Sequence, residues 1–488
     1  MPKNQDVAER TDESQLLLDQ TMLPRSLMGG TRMMKLMAPE YLPREPKEGH
    51  GVYAQRLRRT FLFNMYRAAV QNLSGRPFAN PLKLTEPVQP AFVEWAKNID
   101  LTGRSLHLFA RDLLTDGIIA GRSHIWIDSP RFSEPAATLA DERSREMRPN
   151  WQHVPPEAVL GWLDEPTAMG PRLTQVRIEQ KIQEPISRWG ARWVNQVVVL
   201  EPGGFEIWQE DPDGPGEWEV KDGGETSFTE IPFLTFYAVR DGFMGSQPPL
   251  EDLAFTNLAH FQSMSDQRHI LHVARVPLLF GAGFPEAAEG TSEIEISINR
   301  AVLSGDSNAK LGYVEHSGAA IGAGRQDLQD LHDQMVALSL DPMLARIGHM
   351  TATASALNAA EAHSTLQAMA YSLSSTLNDA LRMTQRIEGF EEVGEIQINT
   401  EFGLALREAE HVGALLQMRL AGDLSRRTFW AELKRRDVLS DLFDAVVEDD
   451  LLEEEAPSME MMGIEAGQQQ AFAEDEPEDD MPPVEEQE

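Results

Sequence analysis

The sequence contains no cysteine. This absence excludes a disulfide scaffold and any site that depends on a thiolate as metal ligand or nucleophile. No apolar run approaches the length of a membrane span, and the first residues lack the apolar core of a signal peptide. We therefore expect a soluble protein that is cytosolic when it is made and that has no membrane partner.

Three common catalytic motifs are also absent: the GxxxxGK[ST] ATP-binding loop, the GxSxG nucleophile elbow and the HExxH zinc motif. The Gly-rich stretch Gly318–Arg325 precedes a predicted helix and could cradle a phosphate, although it lacks the spacing of a dinucleotide site. His269 and His272 are three residues apart on a predicted helix, but no carboxylate completes a metal site convincingly. We expect no catalytic residue, no metal and no cofactor.

Basic residues are scarce, because 43 Lys and Arg face 78 Asp and Glu, and the formal net charge is −35. Seventeen of the acidic residues, and no Lys or Arg, lie from Glu448 to the end, which leaves −18 on the first 447 residues. This balance argues against a sequence-reading DNA binder, which needs a basic face, but not against a protein past which DNA slides. The acidic end is low in complexity and is predicted to be disordered.

The long stretch Thr351–Glu388 contains no glycine and no proline. Its apolar residues recur every three or four positions, which predicts one helix of roughly 57 Å that ends at Gly389. A helix of this length needs an elongated subunit or a large assembly to cover it. The predicted buried stripe comprises Leu366, Met369, Leu373, Leu377, Ala380, Leu381, Thr384 and Ile387.

The rest of the chain has patterns that predict both helices and strands. A helix is predicted over 52–74, where Arg56, Arg58, Arg59 and Arg67 form a solvated or interface side, or else a phosphate-binding patch. Short β-like runs between Pro and Gly turns predict an antiparallel meander over 151–237. Further helices are predicted over 250–276, 327–340, 404–421 and 425–436, with strand-like segments at 310–316 and 396–402.

Six stretches, in order, resemble the portal proteins of tailed double-stranded DNA bacteriophages. The most specific is PPLEDLAFTNLAHFQSMSDQRHILHVARVPLLFGAGF, and YVEHSGAAIGAGRQDLQDLHDQM follows it. The others are YAQRLRRTFLFNMYRAAVQNLSGRPF, NIDLTGRSLHLFARDLLTDGIIAGRSHIWIDSP, TATASALNAAEAHSTLQAMAYSLSSTLNDAL and INTEFG with LAGDLSRRTFWAELKRRDVL. The likeness covers residues 40–440 and rests on the order of structural, not catalytic, motifs.

The resemblance implies an α+β portal-protein fold that is mainly helical, with a β-rich wing, a helical stem, a small α/β clip and a long wing helix. The implied divisions are an N-terminal arm 1–40, the wing 41–248, stem helix 1 at 249–276, the clip 277–324, stem helix 2 at 325–341, the tunnel loop 342–353, the long wing helix with crown-side helices 354–448, and an acidic disordered tail 449–488.

The resemblance also implies a ring of about twelve copies at one capsid vertex, through which genomic DNA is packaged and ejected without sequence specificity. The implied partners are terminase, the major capsid and scaffolding proteins, and head–tail adaptor proteins. The tunnel loop would contact DNA through Arg346, His349, Thr351 and Thr353, although Arg346 could instead pair with a neighbouring carboxylate. The clip would bind partners through Phe280, Phe284, Arg300, Lys310 and Tyr313. Two alternatives stay open: a nucleotide-dependent enzyme that uses Gly318–Arg325, and an oligomeric scaffold without DNA passage.

Overall fold

The computed structural model describes residues 7–129, 147–275, 278–282, 308, 310–314, 319–340, 352–400, 405–435, 438–439 and 443–452, apart from the single positions 169, 213, 227 and 393. The chain divides into two compact units, Met1–Phe402 and Gly403–Glu488. Both units belong to a mixed α+β protein, as the sequence predicts.

The helices of the first unit, in chain order, are α1 (Asp12–Leu36), α2 (Ala38–Tyr41), α3 (His50–Arg59), α4 (Met65–Gly75), α5 (Pro90–Trp95), α6 (Leu106–Ala120), α7 (Glu251–Ala274), α8 (Ala319–Leu338) and α9 (Ala352–Glu388). The second unit contains α10 (Ala405–Ala421) and α11 (Arg426–Arg435).

The strands are β1 (Lys83–Thr85), β2 (Arg122–Asp128), β3 (Asn150–Val154), β4 (Val159–Thr167), β5 (Gly170–Ser187), β6 (Gly190–Glu201), β7 (Gly204–Glu210), β8 (Trp218–Glu225), β9 (Phe233–Tyr237), β10 (Leu278–Ala282), β11 (Lys310–Val314) and β12 (Glu395–Gln397). They form a five-stranded sheet in the order β4-β5-β6-β7-β8, a three-stranded sheet β3-β2-β9 and the pairs β1-β12 and β10-β11. All of these pairings are antiparallel.

The five-stranded sheet confirms the predicted meander, since its strands follow one another in sequence order. Strand β9, which the sequence places in the same meander, instead pairs with β2. The reason lies in β2, which is buried along nearly its whole length and accepts a partner on each edge. Local alternation predicts a strand but does not identify its neighbour.

The main core is built by α1, α4, α6, α7 and α9 around the three-stranded sheet. For residues 1–40 the sequence predicts an arm or a short helix that packs on something else. Most of this segment is the helix α1, and Leu27 and Met34 are fully buried in the core of the same chain. Removing α1 would therefore expose the core.

The long helix α9 runs over 37 residues, and the predicted limits of this helix are confirmed. Gly389 follows it with a φ of 69°, the left-handed conformation that ends helices and favours glycine. Along the part whose side chains are described, the predicted stripe is buried from Leu366 to Thr384, and Ile387 packs at its edge. The buried stripe of this half is covered by the chain itself and does not depend on an assembly.

The single helix predicted over 52–74 is two helices, α3 and α4. Thr60 leaves the helical conformation, with ψ at 141°, and its Oγ1, which donates to the Arg56 carbonyl at 2.9 Å, also lies 2.9 Å from the Ser265 hydroxyl. Asn64 then caps α4 by accepting from the Arg67 amide at 2.9 Å. A contact 205 residues away in sequence fixes this break.

The second unit contains the two helices that the sequence predicts over 404–421 and 425–436. Residues 445–452 are also helical. Asp449 accepts a hydrogen bond from Arg427 at 3.2 Å, and Trp430 stacks edge-on against Phe443. The first residues of the predicted tail 449–488 are therefore helical, and residues 453–488 lie outside the described part.

Candidate functional site

Helices α7 and α8 form an antiparallel pair, and the hairpin β10-β11 lies between them in the chain. Leu278 pairs with Val314, and the register continues to Ala282 and Lys310. Helix α8 packs mainly on α7, and Met335 and Val336 are its fully buried apolar residues. The residue pattern predicts the start of this helix at 327 and the resemblance implies 325, whereas the helix begins at Ala319 and includes the end of the predicted clip.

The predicted tunnel-loop residues Arg346, His349 and Thr351 lie outside the described residues, as do Phe284 and Arg300 of the clip. Thr353 lies in the first turn of α9. In the hairpin, Phe280 lies opposite Gly312 and Tyr313 opposite Leu279, so their backbones are neighbours on paired strands. Lys310 is exposed at the start of β11.

A cleft of about 520 Å³ lies where the end of α3 meets α7 and α8. We call it the basic cleft because four arginines and one histidine line it. The basic residues are Arg59, Arg268, His272, Arg275 and Arg325. Its remaining lining is Met264, Gln267, Leu271, Ile321 and Leu328, which is mostly apolar.

The spacing along α7 sets the basic side of the cleft. Arg268, His272 and Arg275 are separated by four and three residues, so they lie on one face of the helix. The Arg268 guanidinium lies 4.4 Å from the centre of the Phe61 ring, and Arg59 Nη2 lies 3.3 Å from His269 Nδ1. The aromatic ring holds Arg268 without neutralising its charge.

Within the stretch 318–325, Gly324 has a packing role. From Ala319 onward the segment is helical, so the predicted loop is replaced by the first turns of α8. A Cβ at Gly324 would lie 2.2 Å from Gln267 Oε1, and Gln267 Nε2 donates to the Ile321 carbonyl at 3.0 Å. Glycine at position 324 therefore lets α8 approach α7 closely.

Among the described residues, no carboxylate lies within 4 Å of the guanidinium groups of Arg59, Arg268, Arg275 or Arg325. Arg56 differs, because it is buried and pairs with Glu48 at 2.8 Å. That hydrogen bond lowers the pKa of Glu48 and raises the pKa of Arg56. Of the four arginines that the sequence groups on α3 and α4, only Arg59 lines the basic cleft.

The histidines of this region do not converge on a metal. His260 and His332 each lie 5.7 Å from the Phe63 ring, and burial lowers the pKa of His260. His269 contacts Arg59, while His272 lines the cleft. Across the part of the chain that the structure describes, no group of three His, Asp or Glu side chains is placed to hold a metal ion.

One serine–histidine–aspartate contact exists elsewhere in the first unit. Ser123 Oγ lies 2.8 Å from His153 Nε2, and the same Nε2 lies 3.0 Å from Asp116 Oδ2. A catalytic triad needs the two partners on opposite ring nitrogens and an accessible hydroxyl. Here both contacts share one nitrogen and Ser123 is fully buried, so the arrangement serves the packing of β2 on β3.

Arg25 extends this network, because it donates to Asp116 and to Glu157, each at 2.6 Å. Burial opposes the charge on Asp116, but the contacts from His153 and Arg25 outweigh it and lower the pKa of the carboxyl. The network joins α1, α6 and β3 through paired charges, which is the usual condition for burying them.

A family model described as a domain of unknown function, DUF4055, matches residues 249–386. The matched span runs from the start of α7, through the hairpin and α8, to the last turn of α9. No curated protein matches the chain.

Three solved structures are similar to the chain at 12% sequence identity. They are described as "Virion of native gene transfer agent (GTA) particle", with a TM-score of 0.42, "Neck of empty GTA particle computed with C6 symmetry", with 0.40, and "Neck of native GTA particle computed with C12 symmetry", with 0.41. The matches cover 74% of this chain and 87% of the other chain for the first two, and 76% and 89% for the third. Among the described helices, none combines the length and apolarity that crossing a membrane requires.

Proposed function

We propose that the chain is a portal protein, of which about twelve copies form a ring at one capsid vertex. The ring encloses the channel through which double-stranded DNA is packaged and later ejected. Helices α7 and α8 form its stem, the β10-β11 hairpin belongs to its clip and α9 spans its wing. The proposal follows the ordered motifs that resemble portal proteins, which fall on these elements in the same order.

The observation that carries the proposal is the set of large apolar side chains that one copy leaves exposed on α7 and α9. Phe255 and Val273 on α7 are 58% and 57% exposed, and Tyr371 on α9 is 61% exposed. Removing exposed apolar side chains from water is favourable, so a partner surface would stabilise them. Neighbouring copies in a closed ring would cover them without further partners.

The proposed DNA contact is weak and depends on salt. An acidic chain repels phosphates and keeps a passing duplex mobile. Arg346 and His349 of the tunnel loop would supply a few attractive contacts, together with Thr351 and Thr353. Replacing Arg346 and His349 with alanine should leave rings intact and impair packaging, and unchanged packaging across a salt series would contradict this role.

The proposed docking partners are terminase during packaging and head–tail adaptor proteins afterwards. They would bind at the clip, where Lys310 is exposed beside Phe280 and Tyr313 on the paired strands. The capsid and scaffolding proteins would surround the ring at the vertex.

We also propose that ATP hydrolysis belongs to the terminase and that this chain is not an enzyme. The helical start of α8 supports this, because its glycine approaches a neighbouring helix and does not form a phosphate-binding loop. An ATPase assay on the purified chain should give no turnover above a blank. Sustained hydrolysis that co-purifies with the ring would favour the enzyme alternative.

Gold labelling of assembled particles tests the location. An antibody against the chain should label each particle once, at the vertex that carries the tail. Labels spread over many vertices would contradict a portal and favour a general scaffold.

A further inference from the structure

The α7–α8 pair carries opposite charges on its two sides. The basic cleft lies on one side, with Arg268, Arg275 and Arg325. Helix α8 also exposes three aspartates at intervals of three residues, which we call the acidic stripe. The acidic stripe comprises Asp327, Asp330 and Asp333.

Helix geometry separates the two surfaces. At about 100° per residue, Asp327, Asp330 and Asp333 lie roughly 200°, 140° and 80° around the axis of α8 from Arg325. Ser263 of α7 lies on the same side of the helix pair as Asp327, because its Oγ donates a hydrogen bond of 2.5 Å to Asp327 Oδ2. Ser263 precedes Arg268 by five residues, which again places the two about 140° apart. The basic cleft and the acidic stripe therefore face different directions.

Neither surface is neutralised within one copy. The arginines of the basic cleft have no carboxylate partner among the described residues, and they repel one another. Asp330 and Asp333 accept hydrogen bonds from the amides of Gln326 and Gln329 at 2.7 and 2.9 Å, which bring no charge. His332 lies 3.4 Å from Asp333, and no described Lys or Arg is paired with the acidic stripe.

We propose that the basic cleft of one copy receives the acidic stripe of the next copy, and that this contact joins neighbours around the ring. A head-to-tail ring needs two different surfaces that complement each other on every subunit, and these two meet that condition. The inference rests on the proposed function, because the closed ring of identical copies is part of that proposal.

The position of the charges suits this contact. Rotation about a ring axis moves each residue to the next copy without changing its height along that axis. Where α8 runs along the ring axis, as the proposed stem requires, Arg325 and Asp327 differ by only about 3 Å in height and come to nearly the same level in adjacent copies.

The lining of the cleft favours a protein occupant over a DNA backbone. Four apolar residues form the floor of the cleft: Met264, Leu271, Ile321 and Leu328. A helix presents both apolar and charged side chains, so it could bury this apolar surface and pair with the arginines at the same time. A phosphate backbone would use the arginines alone.

Charge reversal provides the test. The first variant combines R268E with R325E and makes the cleft acidic. The second combines D327R with D330R and makes the stripe basic. A control matched to the first variant, K181E with R188E, makes the same change of net charge on exposed residues of β5 and its turn. Each protein is examined by mass photometry and negative-stain microscopy, and circular dichroism melting confirms that it is folded.

The first and second variants should each lose rings at least about tenfold relative to wild type, because like charges then face each other across every contact. The control should form rings as wild type does. The chain that carries all four substitutions should regain rings. An equimolar mixture of the first and second variants should also form rings, in which the two kinds of subunit alternate.

If the wild type and the first variant both form rings, this inference is wrong and the proposed function still stands. Rings of the first variant that no longer retain DNA would overturn it in the same way and assign the cleft to phosphates. Failure of the four-substitution chain and of the mixture, with all proteins folded, would also overturn it. A wild-type protein that stays monomeric would overturn the proposed function and this inference together.

Discussion

The indole Nε1 of Trp151 donates a hydrogen bond of 2.9 Å to the hydroxyl of Thr384, and both residues are buried. Trp151 lies in β3 and Thr384 in the last turns of α9, 233 residues later in the chain. The Thr384 hydroxyl also donates to the Ala380 carbonyl at 2.9 Å, so it both accepts and donates a hydrogen bond. This contact orients the long helix on the three-stranded sheet.

Thr384→Val should lower the free energy of unfolding by about 1–3 kcal/mol, because it leaves the buried indole N–H without an acceptor while the shape is kept. Thr384→Ser, which retains the acceptor, should cost less. Chemical denaturation of both variants checks this. Equal losses would mean that the methyl group matters and the hydrogen bond does not.

Replacing Leu373 and Leu377 together with aspartate should prevent folding of the first unit. Both leucines are fully buried, and each substitution would place an unpaired charge in the core. Tyr371→Asp on the same helix is the control, since this side chain is 61% exposed. We expect the control to fold and to weaken assembly only. Soluble, cooperatively melting protein from the double variant would contradict the buried stripe.

Stability should fall as the pH drops below about 6.5. Burial, with Arg122 and His153 nearby, holds the pKa of His124 well below its usual value, and burial also lowers the pKa of His107 and His260. A depressed pKa in the folded state means that the unfolded chain binds more protons, so stability present at pH 7 is lost on acidification. Each such histidine contributes at most about 1.4 kcal/mol per pH unit.

His124→Gln should make this dependence shallower between pH 6.5 and 5, in denaturation curves taken at several pH values. His50→Asn changes an exposed histidine and serves as control. Equal slopes for wild type and His124→Gln would contradict the prediction.

Arg122→Met should stabilise the protein by about 1–3 kcal/mol. Arg122 is 1% exposed, its guanidinium lies 5.4 Å from the Trp162 ring, and its three nitrogens have no hydrogen-bond partner among the described residues. Burial lowers its pKa to about 10, below the unfolded value, so the charge costs stability at every lower pH. The gain should therefore be equal at pH 6.5 and 8. Arg122→Lys keeps the charge and should bring no gain.

The elements predicted well from the sequence are those that local pattern determines. Helix α9 has an uninterrupted apolar stripe and a glycine at its end. In the meander, short β-like runs lie between turns that contain Pro and Gly. Gly121 likewise ends α6 with a φ of 79°, a left-handed conformation that favours glycine. In each case the residues that define the element also define its limits.

Features set by distant contacts could not be predicted in this way. The break between α3 and α4 depends on Ser265, and β9 leaves the meander because β2 offers a buried edge. The basic cleft joins Arg59 to residues more than 200 positions later in the chain. Its local signal is the spacing of Arg268, His272 and Arg275, which becomes apparent only when the arginines are considered together with the histidines.

The measurement that tests the central claim most directly is electron microscopy of the purified wild-type chain. The account predicts closed rings of about twelve copies with an axial hole wide enough for a DNA duplex. A monomer, an open filament or a ring too narrow to admit a duplex would contradict it.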